Sequence, residues 1–190
     1  MKIGGRSNAA AFFFCMSEIQ NIYLIGPMGS GKTAVGRQLA KLLHLSFYDS
    51  DIEIERRTGV DIPYIFEKEG EAGFRERERE AIDALTQLNN VVIATGGGAI
   101  LMSENRERLV ARGQVVYLKT GIEQQLERTR HGRQRPLLYT ADPEARLREL
   151  MDQRAPLYES VARITVATDG RAVRAVADEI VQLLNEPVSL

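Results

Sequence analysis

Gly26-Pro27-Met28-Gly29-Ser30-Gly31-Lys32-Thr33 stands between an apolar run, Ile22-Tyr23-Leu24-Ile25, and a helical pattern of Val35, Leu39, Leu42 and Leu43. Strand, glycine loop and helix in this order form a cradle for nucleotide phosphates. Glycines let backbone N–H groups turn inward around phosphate oxygens, and the helix that follows points its positive dipole end at them. Lys32 has the reach for the β and γ phosphates. Thr33 offers a hydroxyl to Mg²⁺, an ion that takes oxygen ligands and completes its shell with waters and substrate phosphates. A chance glycine turn would not match the motif at every defined position, so the sequence predicts a nucleoside triphosphate site.

Outward from this loop, apolar runs alternate with helical periods, the pattern of a parallel sheet covered by helices. Strands are expected at Ile22–Ile25, Ser46–Tyr48, Val91–Ala94, Val115–Leu118 and Ile164–Val166. Helices are expected at Lys32–Leu43, Asp51–Arg57, Pro63–Gly70, Glu71–Leu88, Ser103–Ala111, Ile122–Thr129, Pro143–Glu159 and Arg171–Leu184, with Pro and Gly at several junctions. Ligands of open α/β sheets bind at the carboxyl ends of strands, so the residues just after each strand are the candidates for chemistry.

A chain of 190 residues with 44% hydrophobic content supports one well-buried core and not two ordinary domains. The net charge of −1 lacks the basic excess of a general nucleic-acid binder. Arginine greatly outnumbers lysine, and its planar fork suits carboxylates and phosphates, although surface ion pairing explains the bias equally well. One cysteine, Cys15, excludes an intrachain disulfide and fits a reducing compartment. Residues 1–15, with Lys2, Arg6 and Ala9 to Cys15, faintly resemble a short signal peptide, but export would separate the protein from the ATP that Lys32 implies. Met16 makes a more natural start, and the extension before it is expected to be disordered or loosely docked. No stretch is long and apolar enough to span a membrane, and a cytoplasmic location is expected.

Four segments carry further candidates. Asp49-Ser50-Asp51 follows the second strand, where one carboxylate can serve a metal and the other a substrate hydroxyl; capping of the next helix by Ser50 or Asp51 is the competing use. Thr95-Gly96-Gly97-Gly98 follows the third strand and leaves bare backbone for a ligand to approach, where a tight turn alone would need one glycine. In Gly73 to Glu80 the alternating charges are those of a solvated helix face, yet Arg75 and Glu78 share one side of it, and the glutamate can hold the arginine's fork still for a carboxylate ligand. Arg128 to Leu138 concentrates positive charge beside glycine and proline and reads as a mobile basic flap, the device phosphoryl transfer needs to exclude water and neutralise charge. No interleaved aromatics favour base stacking there, and His131 has no catalytic role assigned.

Taken together, Gly26–Thr33, Asp49-Ser50-Asp51, Phe74-Arg75 with Glu78, Gly96-Gly97-Gly98, Arg135-Pro136-Leu137 and Arg154-Ala155-Pro156-Leu157-Tyr158 resemble the shikimate kinases in order and spacing, from about Asn21 to the C-terminal helix. The resemblance implies an α/β, three-layer P-loop kinase fold of the nucleoside monophosphate kinase type: a five-stranded parallel sheet flanked by helices, a substrate-binding region at about 49–79 and a lid at about 128–141, within a single domain of residues 16–190. It implies ATP-dependent phosphorylation of the 3-hydroxyl of shikimate on the route to chorismate and aromatic amino acids. Carried over by residue, it gives shikimate to Asp51, Arg75, Gly97 and Arg154, with both arginines facing the carboxylate. Nucleotide falls to Gly29, Ser30, Gly31, Lys32, Thr33, Ala34, Arg128, Arg135 and Arg171. Mg²⁺ falls to Thr33 and Asp49, and catalysis to Lys32, Asp51 and Arg135, the lid cation. Family members often carry a proline soon after the stretch matching Thr168 to Arg171, where Ala172 and Val173 stand here. A gluconate kinase is the closer rival, a nucleotide-gated binding module the more distant one, and a monomer the default assembly.

Overall fold

The structure, a computed structural model, describes residues 21–129 and 140–186. Its strands are β1 (Asn21–Ile25), β2 (Ser46–Asp49), β3 (Val91–Ala94), β4 (Gly113–Lys119) and β5 (Ile164–Ala167). All pair in parallel, in the spatial order β2-β3-β1-β4-β5. Parallel strands need long crossovers, and helices supply them over both faces of the sheet. Hence β1 is apolar along almost its whole length: Ile22, Tyr23, Leu24 and Ile25 are completely buried, with Ile22 in register with Val92 on one side and Gln114 on the other.

The helices are α1 (Lys32–Leu43), α2 (Ser50–Thr58), α3 (Ile62–Thr86), α4 (Ser103–Arg112), α5 (Ile122–Thr129), α6 (Pro143–Val161) and α7 (Val173–Asn185). One face of the sheet, through Ile22, Leu24, Val92 and Val116, packs on Val35 and Leu39 of α1 and Val176 and Ile180 of α7. The opposite face packs Tyr23, Ile93 and Tyr117 on Ile82 and Leu85 of α3, Leu109 of α4 and Tyr158 of α6. Truncating a fully buried residue such as Leu39 to Ala costs about 2–5 kcal/mol, because the lost transfer energy is joined by an incompletely collapsed cavity. A third cluster of Ile54, Ile65, Phe74 and Ala81 ties α2 to α3 away from the sheet. No helix among the described residues is long and apolar enough to cross a membrane.

Most expected elements are present, with informative shifts at their ends. The helices expected at Pro63–Gly70 and Glu71–Leu88 run as one element, α3, broken at Gly70, whose φ of 69° and ψ of −173° no helix contains. Space around a Cβ there is open, so the constraint at Gly70 is conformational and not steric. The last helix begins at Val173, not Arg171, because Gly170 turns in the left-handed region and the chain stays extended through Ala172. A short 3₁₀ turn, Ala99–Leu101, follows the glycine triplet and was not foreseen. Residues 1–15, including Cys15, and most of the basic flap, including His131 and Arg135, lie outside the described residues.

Candidate active site

Four chain segments, following β1, β2, β3 and β4, open into one cleft of about 280 Å³. Lys32, Thr33, Ala34, Asp49, Asp51, Gly97 and Arg128 all line it, together with Gly29 and Gly31. The phosphate loop owes its shape to left-handed backbone at Gly29 (φ 78°) and Gly31 (φ 89°), the latter being the N-cap of α1. A side chain at Gly29 would also press on α5, since a Cβ there would lie 3.1 Å from Gln125 Cα. Lys32 Nζ donates to the carbonyls of Gly26 and Pro27, each at 2.7 Å, which lays its ammonium across the mouth of the loop.

Thr33, in the first turn of α1, donates its hydroxyl to Asp49 Oδ2 at 2.8 Å. The other Asp49 oxygen accepts the Asp51 N–H at 3.1 Å, which makes Asp49 the N-cap of α2. The cap is therefore neither Ser50 nor Asp51. Ser50 is fully buried and accepts the Gly96 N–H at 2.8 Å, and Asp51 is left directed into the cleft. A hydroxyl beside a carboxylate at the mouth of a phosphate loop is a set of hard oxygen donors, the kind Mg²⁺ takes. No group of three or more His, Cys, Asp or Glu suited to a metal occurs among the described residues, so any ion here would depend on phosphate oxygens and water for the rest of its shell.

The glycine triplet is a floor for side chains. A Cβ on Gly96 would lie 2.5 Å from Glu78 Oε1 and 2.8 Å from Asp51 Oδ1, and one on Gly98 would strike the Arg75 guanidinium. Two of the three glycines thus admit the protein's own carboxylates and cation, not only a ligand. Gly97, between them, has its backbone against Met28 and Gly26 of the phosphate loop.

Arg75 and Arg154 reach this floor from different helices. Arg75 Nη1 donates to Glu78 at 2.7 Å and Nη2 to Glu71 at 2.8 Å, so two carboxylates fix its fork. Glu78 is wholly buried, and burial raises its pKa above the ordinary carboxylate value despite Arg75. Arg154 is 4% exposed, holds the Gly97 carbonyl only weakly at 3.5 Å, and its Nε has no hydrogen-bond partner among the described residues. Burial, with the charge of Arg75 adding to it, pulls the Arg154 pKa below its ordinary value. A buried guanidinium without a hydrogen-bonded carboxylate among the described residues is costly, and an anion placed beside it would offset that cost.

On the other flank, Arg128 Nη1 donates to the Gly29 carbonyl at 2.9 Å and Nη2 to the Thr168 carbonyl at 3.2 Å, joining the phosphate loop to the segment after β5. Asp169 accepts the Gly121 N–H at 2.8 Å and Gln124 accepts the Gly170 N–H at 2.9 Å, so α5 holds that segment. Arg171 is paired with Glu179 and donates to the Ala167 carbonyl at 3.0 Å; it does not line the cleft. The sequence offers Ser50 only as a helix cap and Tyr158 only as part of a motif, and it gives no site role to these two or to Glu71. The hydroxyl of Tyr158 donates to the Gly97 carbonyl, and its spacing of four from Arg154 on a helix was the available signal.

A profile of the family described as Shikimate kinase matches residues 28–185. The chain is 52% identical over 173 residues to a shikimate kinase of Vibrio cholerae serotype O1, covering 91% of this chain and 99% of that protein. The solved structure of the shikimate kinase from Acinetobacter baumannii in complex with shikimate is similar at a TM-score of 0.88 and 53% identity, covering 90% of this chain and 96% of that one. A gluconokinase from Sinorhizobium meliloti 1021, at a TM-score of 0.55 and 17% identity over 86% of this chain and 90% of its own, shares the fold alone. Because the profile runs from Met28 in the phosphate loop into α7, every residue lining the cleft and strands β2 to β5 lie inside the match, and the chain belongs to the shikimate kinase family.

Proposed function

We infer that this chain transfers the γ-phosphoryl group of ATP to the 3-hydroxyl of shikimate, giving 3-phosphoshikimate and ADP on the route to aromatic amino acids. The observation that carries the reading is the pair of arginines, Arg75 and Arg154, beside the Gly96-Gly97-Gly98 floor, with Asp51 in the same cleft as Lys32 and Thr33. A ring carboxylate between two guanidinium groups would leave the hydroxyls of the same ring toward Asp51. Asp51 would orient the attacking hydroxyl and receive its proton, while the new bond forms between that oxygen and the γ phosphorus and the β–γ bridging oxygen departs with ADP. In a loose transition state, positioning contributes more than early deprotonation.

Lys32, now bonded to the Gly26 and Pro27 carbonyls, would move to the β and γ phosphates, and Arg128 would support the nucleotide from the opposite wall. Arg135 would add a cation from the lid, and Arg171 would take part only by leaving Glu179. Thr33 and Asp49 would hold Mg²⁺, which when bound neutralises charge on the phosphate oxygens. Every residue in this assignment comes from one chain, so the reading needs no second subunit. Consumption of ATP supports a cytoplasmic location.

The test is ADP release with Mg²⁺-ATP and either shikimate or gluconate, with Asp51→Asn alongside. We expect shikimate-dependent release, lost by on the order of 10²–10⁴-fold in Asp51→Asn with ATP affinity retained. Release with gluconate instead, or an active Asp51→Asn, would sink the assignment.

A further inference from the structure

Tyr117 and Tyr158 stack beneath the floor of the cleft, ring centroids 5.0 Å apart at 20°, and both are completely buried. Their hydroxyls differ. Tyr117 Oη has no hydrogen-bond partner among the described residues, whereas Tyr158 Oη donates to the Gly97 carbonyl. That same carbonyl is the acceptor of the long 3.5 Å contact from Arg154 Nη1, four residues earlier on α6. A carbonyl already held by a short hydroxyl bond has little need of the guanidinium, which stays available to a ligand.

We propose that Tyr158 is a positioning residue for substrate: by satisfying the Gly97 carbonyl it keeps Arg154 aimed into the cleft and fixes the central glycine of the floor. The proposal rests on the assignment of Arg154 to the shikimate carboxylate. Without the Tyr158 hydroxyl, the half-buried carbonyl would keep only the Arg154 N–H as a side-chain donor among the described residues, and the guanidinium would turn to meet it. The phosphate loop would keep its shape, because its own bonds, Ser30 N–H to the Pro27 carbonyl and Arg128 to the Gly29 carbonyl, do not involve α6. The effect therefore falls on one substrate only.

In Tyr158→Phe we expect the shikimate KM to rise on the order of five- to tenfold while the ATP KM stays within twofold, the response of one lost hydrogen bond. Tyr117→Phe, which removes a hydroxyl without a partner among the described residues, should change neither KM. Arg154→Ala separates carboxylate binding from the positioning by Tyr158. If it leaves the shikimate KM unchanged, the carboxylate assignment fails and Tyr158 falls with it; if it raises that KM and Tyr158→Phe does not, only the positioning role is overturned. A second readout needs no folded variant: with 3-fluorotyrosine incorporated, the ¹⁹F resonance of Tyr158 should move on titration with shikimate and not with ADP, and a silent resonance overturns the proposal.

Discussion

Asp49 receives the Thr33 hydroxyl on one carboxylate oxygen at 2.8 Å and the Asp51 N–H on the other at 3.1 Å, so a single side chain serves both the mouth of the phosphate loop and the start of α2. The two duties separate by substitution. Asn keeps an oxygen for the cap, and Ala keeps neither duty. Asp49→Ala should lose about 1 kcal/mol of cap stability, lowering Tm by roughly 2–4 °C. Asp49→Asn should melt close to wild type yet require on the order of 10- to 100-fold more Mg²⁺ for half-maximal activity. Melting curves and Mg²⁺ titrations read the two effects independently, and an Asn variant with ordinary Mg²⁺ demand would remove Asp49 from the ion site.

Gly98 has an ordinary backbone conformation, φ −102° and ψ 0°, so Ala fits its backbone and fails only in space. The new methyl would meet the Arg75 guanidinium. Gly98→Ala should raise the shikimate KM by roughly 10- to 100-fold, as misplacement of a binding group by about 1 Å does, with the ATP KM little changed. Gly96→Ala should be worse and should also destabilise, because the atom in its way, Glu78 Oε1, is wholly buried and has nowhere to go. Steady-state kinetics with each substrate varied in turn decides the point; an unaltered shikimate KM in Gly98→Ala would mean that Arg75 is free to move.

Arg128 bridges two carbonyls with two different nitrogens of one planar group. Lysine offers a single ammonium and cannot reproduce that fork. Arg128→Lys should raise the ATP KM about fivefold for the lost hydrogen bond and leave shikimate binding alone. Equal weakening of both substrates would instead indicate collapse of the loop.

Stability toward acid should depend on Glu53, whose carboxyl is held down to about 2 by a hydrogen bond from Arg56 and then by Arg57, against an ordinary value of 4.5. A carboxyl that ionises more easily when folded stabilises the fold fully above pH 4.5, and the contribution fades as pH falls toward 2. Arg56 is 69% exposed, so solvent screening keeps the effect well below what the shift alone would imply. Melting temperatures measured from pH 7 to 2.5 should therefore converge for wild type and Glu53→Gln below pH 4.5, with a constant gap above it. A gap that widens in acid would contradict the ion pair.

Legibility in the sequence followed the range of the interactions. The phosphate loop, β1 and α1 depend on neighbours in the chain, and their glycines, apolar run and helical period announce them; so do all five strands, whose ends moved by two residues at most. Arg75 with Glu78 was visible as a spacing of three on a helix. What stayed hidden was tertiary. Ser50 binds Gly96, distant by 46 residues, and Tyr158 binds Gly97, distant by 61. The glycine triplet suggested room for a ligand, whereas much of that room is taken by Glu78, Asp51 and Arg75, which only the folding of α2 and α3 over β3 brings there. Arg171, expected against nucleotide, is drawn instead to Glu179 on the next helix, a pairing no local pattern required.

The strand order has a bearing on how such a site can diversify. β1, carrying the phosphate loop, lies at the middle of the sheet; β3 and β2 stand on one side of it, and β4 and β5 on the other. Asp51 and the glycine floor extend from the first side, Arg128 and the Thr168 to Gly170 segment from the second. The two halves also meet beyond β1, where Arg154 and Tyr158 of α6 reach the Gly97 carbonyl, so the acceptor pocket on the β2–β3 side is completed by a helix from the β4–β5 side. Exchange of the acceptor in this architecture therefore has to change α6 together with the segment between β2 and β3.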